Sequence, residues 1–352
     1  QLAYDHGAAD LFPRYTGNNT VSSTAAFGTR GLVMGYFDGN TVTALWNYAQ
    51  HFAMSDNAYT DTYGPSTPGA LEVVAGTNNG AVPRVGHAEV IADTQGGYTL
   101  IGDTDPAGDV CSSAASQVSM RSRNIGNLLN DRHVSWGGFT GGFDLGRINA
   151  DGSTGCTRTS YSEVLGASKT DYVPHHNWFQ YYASTANPGH ARPSSIAQIG
   201  HDDDKDQGPT PVHHQYDVED FFTAVKAGNY PAVSYLKAPA IQDAHPGNSD
   251  PLDEQHFITR VLNFLQQQPE WDSTAVIITY DDSDGWYDHA FTPPTTSSFD
   301  ASPPEGRVIG ADQLNGPRRS PGPPPAPGRG IHRGRLHRRS RPGPRTPSPR
   351  LS

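Results

Sequence analysis

The run Val276-Ile277-Ile278-Thr279-Tyr280 passes without polar alternation into Asp281-Asp282-Ser283-Asp284-Gly285-Trp286-Tyr287-Asp288-His289. Four apolar or β-branched residues leading into an acidic cluster predict a strand buried on both faces of a sheet, its carboxylates emerging at the C-terminal end. In an open α/β sheet that end is where ligands bind. Asp281 and Asp282 are neighbours, and two ionised carboxylates side by side repel unless a cation lies between them. A hard divalent ion with oxygen ligands resolves the conflict. A solvated acidic turn closing the strand is the alternative.

A second stretch bears on the first. Tyr63-Gly64-Pro65-Ser66-Thr67-Pro68-Gly69 leads into the apolar run Ala70-Leu71-Glu72-Val73-Val74-Ala75. A hydroxyl residue at the start of a helix sits among unsatisfied backbone N–H groups at the positive end of the dipole. That position suits anion binding and an activated alkoxide. A serine that merely caps a buried helix fits the same residues.

Elsewhere the chain has an α/β rhythm. Val42, Leu45, Trp46, Ala49 and Phe52 have helical period after Asn40 or Thr41 as N-cap. A helix starting at Asn124 precedes a strand in Val134-Ser135-Trp136-Gly137-Gly138-Phe139, whereas residues 140–172 read as loop. His175-His176-Asn177-Trp178 places two adjacent histidines before aromatics. They read as donors to a phosphate or as surface histidines; the spacing is wrong for a zinc motif. The strand Ala232-Val233-Ser234-Tyr235-Leu236 ends in Pro239-Ala240-Ile241-Gln242-Asp243-Ala244-His245-Pro246, where the proline holds His245 extended. A helix through Phe257, Val261 and Leu265 then returns the chain to the 275–280 strand. This crossover puts His245 and the Asp281/Asp282 pair at one sheet edge.

The formal net charge of −11 conceals an asymmetry. Ten of the 25 basic residues and none of the 36 acids lie in 317–352, leaving residues 1–316 with a net charge of −21. So acidic a body is a poor match for nucleic acid or an anionic bilayer. Residues 317–352 also hold ten prolines and almost nothing apolar, which builds no core and reads as coding sequence out of frame. No apolar run of about 18 residues is present to span a membrane, and the first residues lack signal-peptide character. Cys111 and Cys156 are the only cysteines, and both a single bridge and two free thiols fit them.

Together Gly64-Pro65-Ser66-Thr67-Pro68, His175-His176-Asn177-Trp178-Phe179-Gln180-Tyr181-Tyr182, His214-Gln215-Tyr216-Asp217, His245-Pro246-Gly247 and Tyr280-Asp281-Asp282-Ser283-Asp284-Gly285-Trp286-Tyr287-Asp288-His289 follow a known order. Over roughly residues 1–316 the chain resembles bacterial phosphoesterases: the non-haemolytic-type phospholipases C and related acid phosphatases of the alkaline-phosphatase-like superfamily. The resemblance implies an α/β/α sandwich with a central, mostly parallel sheet. It implies a divalent metal ion held by Ser66, Asp281 and Asp282, with Ser66 as nucleophile and His175, His176 and His245 as phosphate contacts. It further implies a phospholipid or small phosphate-ester substrate, no nucleic acid, and at most transient contact with a membrane surface. Members are usually exported, which implies a secreted or periplasmic protein and allows a Cys111–Cys156 bridge. Relatives begin with a strand ending in Glu-Asn and continue past the Asp-His motif with a further apolar strand. Neither has a counterpart here, so the expectation is a domain of residues 1–316 incomplete at both ends, followed by an extraneous tail, 317–352. Two other classes stand beside the hydrolase: a homologue that keeps the fold without the chemistry, and an Arg-rich nucleic-acid binder resting on the tail alone.

Overall fold

The computed structural model describes residues 2–16, 30–60, 62, 64–92, 97–201, 211–283, 285–291, 297–300 and 307–310. Gly17-Asn18-Asn19, whose residues predict a turn, the acidic run at 202–206, which reads as solvated, and the Arg/Pro-rich stretch 317–352 lie outside the described residues. In chain order the helices are α1 (Phe12–Tyr15), α2 (Thr43–His51), α3 (Ser66–Ala75), α4 (Ile125–Asp131), α5 (Val218–Lys226) and α6 (Pro251–Leu265). The strands are β1 (Ala81–Gly86), β2 (Val90–Ala92), β3 (Tyr98–Leu100), β4 (Asp105–Pro106), β5 (Ser116–Met120), β6 (Trp136–Thr140), β7 (Thr159–Ser162), β8 (Ala167–Thr170), β9 (Gln215–Asp217), β10 (Val233–Lys237), β11 (Ser297–Asp300) and β12 (Arg307–Gly310).

Three parallel strands carry the centre. β6 lies between β10 and β9, with Val233 opposite Trp136 and Tyr216 opposite Phe139. Side chains alternate across a strand, and the two faces of β6 feed different apolar clusters. Trp136 packs with Val233 and Tyr235 of β10, Leu71 and Val74 of α3, and Leu129 of α4. Phe139 packs with Tyr216, with Phe221 and Ala224 of α5, and with Phe257 and Leu265 of α6. Full burial of a side chain such as Phe139 or Phe221 contributes roughly 1.5–3 kcal/mol. The remaining sheets are small. β5 pairs antiparallel with β1 and parallel with β4, while β2–β3, β7–β8 and β11–β12 are antiparallel pairs. The fold is mixed α/β.

Local chemistry explains the helix starts. Asn124 and Asp217 each form a reciprocal capping box, and Asp250 accepts from Leu252 N with Pro251 in the first turn of α6. The α2 cap differs from expectation: Val42 holds that place, and Asp38 binds the N–H groups of Asn40 and Thr41 one turn earlier. The apolar period of α2 does not face a core. Trp46 is 52% exposed and no residue of this helix is buried.

Two further expectations fail. Residues 140–172 are not all loop, because β7 and β8 form a hairpin there. More importantly, residues 276–280 form no strand and join no ladder, and Ile277 is 86% exposed. The crossover that was to place this segment in the sheet is therefore incomplete, and among the described residues β10 pairs within its sheet only with β6. An unbroken apolar run encodes a preference for burial, but a strand also needs a neighbour for its N–H and C=O groups. Side-chain and backbone contacts anchor the segment instead. The Tyr280 hydroxyl bonds Glu254 of α6, and Asp281 docks on α3 and on β10.

Candidate active site

The first turn of α3 organises the site. Pro65 occupies the N-cap position without a side-chain cap, so Ser66 is the first helical residue and not the cap. The missing cap comes from Asp103, beyond β3. Its Oδ1 accepts from Thr67 N at 3.0 Å and lies 3.0 Å from the Thr67 hydroxyl. A carboxylate at this end also complements the helix dipole. The Thr67 hydroxyl is within 3.3 Å of the His175 carbonyl as well, which ties the histidine pair to the turn bearing Ser66. Ser66 itself is 7% exposed.

From there the contacts run in a circuit. His175 Nδ1 lies 3.3 Å from Asp105 Oδ1, and its ring meets that of His176 edge-on, centroids 4.6 Å apart. His176 is buried, its Nδ1 3.4 Å from Asp243 Oδ2. Asp243 Oδ1 accepts the His245 backbone N–H at 2.9 Å. Lys237, the last residue of β10, reaches Asp281 Oδ2 at 3.1 Å. Asp281 Oδ1 accepts Asp282 N–H at 3.1 Å. The circuit closes on α3, where a methyl at Gly69 would lie 1.9 Å from the Asp281 carbonyl oxygen. Residues three apart on a helix share a face, so Asp281 packs on the face of α3 that Ser66 begins.

The electrostatics follow from burial. Removal from water pushes Asp243 up to about 6, against the lowering effects of Lys237 and His245. Burial pushes His176 well below the usual histidine value, and the charges of Lys237, His175 and His245 push the same way. Burial also opposes the Lys237 charge, but Asp281 and Asp243 outweigh it and hold the ammonium above the ordinary lysine value. Glu254, beneath Tyr280, is raised by burial.

The side chains here are of the kind a divalent cation takes, although among the described residues no three of their carboxylate and imidazole ligand atoms lie within 4.8 Å of one another. The cluster holds the carboxylates Asp103, Asp105, Asp243, Asp281 and Asp282 and one permanent cation, Lys237. Asp243 Oδ2 is buried and takes no hydrogen bond. Hydroxyl and carboxylate oxygens are the ligands hard ions take, and imidazole suits borderline ions such as zinc. A different trio, Asp109, Cys111 and His190, has ligand atoms within 4.8 Å of one another, but those atoms are already committed. Cys111 is bridged to Cys156, Cα atoms 5.3 Å apart. Asp109 accepts from Tyr172 and Gln180, each at 2.7 Å, and lies 3.1 Å from His190 Nε2, while His190 Nδ1 faces the Phe143 carbonyl at 2.9 Å. Burial alone would raise Asp109, yet these partners hold it below the usual carboxylate range. That trio is a buried structural network.

The six residues singled out from the sequence are linked through their neighbours: Thr67 joins the turn of Ser66 to His175, Asp243 lies against both His176 and His245, and Gly69 of α3 meets Asp281, with Asp282 next in the chain. Four more were missed: Asp103, Asp105, Lys237 and Asp243. Asp103 and Asp243 lie in the turns after β3 and β10, Lys237 ends β10 and Asp105 begins β4. Two cavities elsewhere, one between α5 and α6 and one at the Gly141–Gly142 turn, are lined by none of the ten. No helix of the described residues is long and apolar enough to cross a membrane.

Comparison with known proteins gives a consistent picture. A profile described as Phosphoesterase family matches residues 1–348, so the match runs on past residue 316. The chain is 38% identical to a non-hemolytic phospholipase C of Pseudomonas aeruginosa over 74 residues, 21% of this chain and 11% of that protein. It is 32% identical to phospholipase C A of Mycobacterium tuberculosis over 103 residues, 28% of this chain and 20% of the relative. With non-specific phospholipase C6 of Arabidopsis thaliana it shares 34% over 87 residues, 23% of this chain and 16% of the plant protein. The matched stretches therefore span at most 20% of these relatives' own length.

Proposed function

The chain belongs to the phosphoesterase family, and from that membership and the circuit around α3 we propose that it is a phosphoric ester hydrolase of the phospholipase C type, with Ser66 as nucleophile. The observation that carries this reading is the placement of Ser66. It heads a helix whose first turn is bound to the histidine pair on one side and packed against Asp281 on the other.

In this reading Ser66 Oγ attacks phosphorus in line. The Ser66–phosphorus bond forms as the bond to the leaving alcohol breaks, and water then releases phosphate or phosphocholine from the serine. His175, His176 and His245 present ring nitrogens toward the phosphoryl oxygens, and the N-terminus of α3 adds its dipole. His176, held neutral by its burial, serves as a hydrogen-bond partner and not as a charge. Asp105 orients His175, Asp243 Oδ2 stands 3.4 Å from His176 Nδ1, and Asp103 fixes the turn that aims Ser66. A divalent metal ion held by Ser66, Asp281 and Asp282 would lower the pKa of the hydroxyl and offset phosphate charge.

Phosphatidylcholine, yielding diacylglycerol and phosphocholine, is the proposed substrate, with soluble phosphomonoesters as the acid-phosphatase alternative. The packing of helices against both faces of β6 supports the α/β/α sandwich of alkaline-phosphatase-like enzymes. The Cys111–Cys156 bridge supports a secreted or periplasmic location, since disulfides persist in oxidising compartments. Replacing Ser66 by alanine tests the mechanism. Release of nitrophenol from p-nitrophenylphosphorylcholine should disappear while the helical circular dichroism is unchanged, and retained turnover removes Ser66 from the chemistry. Comparing phosphatidylcholine vesicles with p-nitrophenyl phosphate separates the two substrate classes.

A further inference from the structure

Lys237 is the one charged side chain of β10. It lies opposite Thr140 in the parallel register with β6, where the chain leaves the sheet. Its ammonium points inward to Asp281, and the two side chains are only 16% and 17% exposed. Burying an ammonium is unfavourable unless a carboxylate meets it in good geometry. The converse holds for Asp281, whose backbone is pressed on Gly69 and whose second oxygen is taken by Asp282 N–H. Asp243, from the turn after β10, feels the same ammonium, and no other lysine or arginine pairs with Asp281 or Asp243 among the described residues. A fixed positive charge therefore occupies one oxygen of the carboxylate pair.

Resting on the cation site of the preceding reading, we propose that Lys237 is a positioning residue for it: its ammonium is the internal counter-charge that holds Asp281 on α3, and a divalent ion must compete with it for that carboxylate. Two consequences follow. The acidic pair stays ordered without metal, because an internal cation already neutralises it. Metal affinity is set lower than the carboxylates alone would give, because binding requires the Lys237–Asp281 pair to loosen. The ammonium is not consumed, so no proton or electron changes hands.

The test uses the full chain, stripped with EDTA and titrated with MnCl2 by calorimetry, with thermal melting recorded at each metal concentration. K237M should bind Mn2+ roughly tenfold tighter or more, the fold-change expected on removing one charge-assisted competitor. It should also melt lower than the parent without metal and regain the loss at saturating Mn2+. K237R, which keeps the charge, should bind as the parent does. Unchanged or weaker Mn2+ binding by K237M, or no Mn2+ binding by parent and variant alike, overturns the proposal.

If K237M fails to fold without metal, the K237M/D281N double variant decides. Removing both partners should restore folding and the parent's melting temperature to within a few degrees, and should abolish the gain in Mn2+ affinity. A double variant that stays as unstable as K237M shows that neutralising Asp281 is not what Lys237 does. Turnover enters neither readout. A protein that binds Mn2+ in this pattern but hydrolyses nothing would refute the hydrolase reading and leave this inference standing.

Discussion

Gly69 and Asp281 meet backbone to backbone: a Cβ at Gly69 would sit 1.9 Å from the Asp281 carbonyl oxygen and 2.7 Å from its carbonyl carbon. Neither atom is the end of a flexible side chain, so any larger residue at this point of α3 must push Asp281 away. Alanine would otherwise favour the helix by about 0.5–1 kcal/mol. G69A is therefore expected to keep its helical circular dichroism and lose activity. Displacing a site carboxylate by about 1 Å costs on the order of 100-fold in rate. Wild-type turnover in G69A would show that the position of Asp281 is immaterial.

Asp103 supplies the cap that Pro65 cannot. Removing a carboxylate cap costs roughly 0.5–2 kcal/mol. D103A should lower the urea midpoint accordingly with an unchanged m-value, and D103N should recover part of the loss through its remaining oxygen. An unaltered midpoint in D103A would mean that water caps α3 equally well.

The pH dependence has a defined sign. Asp243 is raised in the folded protein to about 6, so between about pH 4 and 6 the native state holds a proton that the unfolded chain has released. Stability from this group is present at the acid end and falls as pH rises through that window, on the order of 2–3 kcal/mol in all. His176 works oppositely. Its folded value is depressed, so the unfolded chain takes up the proton first and stability falls as pH drops below about 6.5. Melting D243N and H176N against pH separates the two. D243N should gain stability relative to the parent as pH rises from 4 to 6, and H176N should gain on acidification. A pH-independent difference for either variant would contradict its assignment.

The Cys111–Cys156 bridge spans a sequence separation of 45. Cross-linking a loop of that size contributes about 3–4 kcal/mol in the chain-entropy account. One end lies next to Asp109, whose Oδ1 accepts Cys111 N at 2.8 Å. Reduction, or C111S/C156S, should therefore lower the melting temperature and loosen the Asp109–Tyr172–His190 network. Slowed amide exchange that persists at Cys111 after reduction would count against the second effect.

Much of the site was legible because its residues stand where the chain changes conformation. Ser66 follows Gly-Pro at a helix start, His245 precedes a proline in the turn after β10, and Asp281 follows an apolar run. Lys237 and Asp243 were not, since a lysine ending a strand and an aspartate in a polar turn look the same whether they face solvent or each other. The fold was read less well at 276–280. Apolar continuity says that a segment prefers burial, but not whether a neighbouring strand offers it a ladder. Trp46 of α2 shows the same limit, since period marks a face and leaves open what covers it. The β7–β8 hairpin is polar on both sides, with Thr159, Ser160, Ser168 and Lys169 among its pairs, and so carried no alternation to detect.

The circuit joins Ser66 near the start of the chain to Asp281 far along it. A nascent polypeptide has made the residues of the Trp136 cluster by Tyr235 and those of the Phe139 cluster by Trp271, in both cases before Asp281. Until then Lys237 would have no carboxylate from that segment to meet. Assembly of the site around α3 would then be among the last steps of folding during synthesis, following a core already translated.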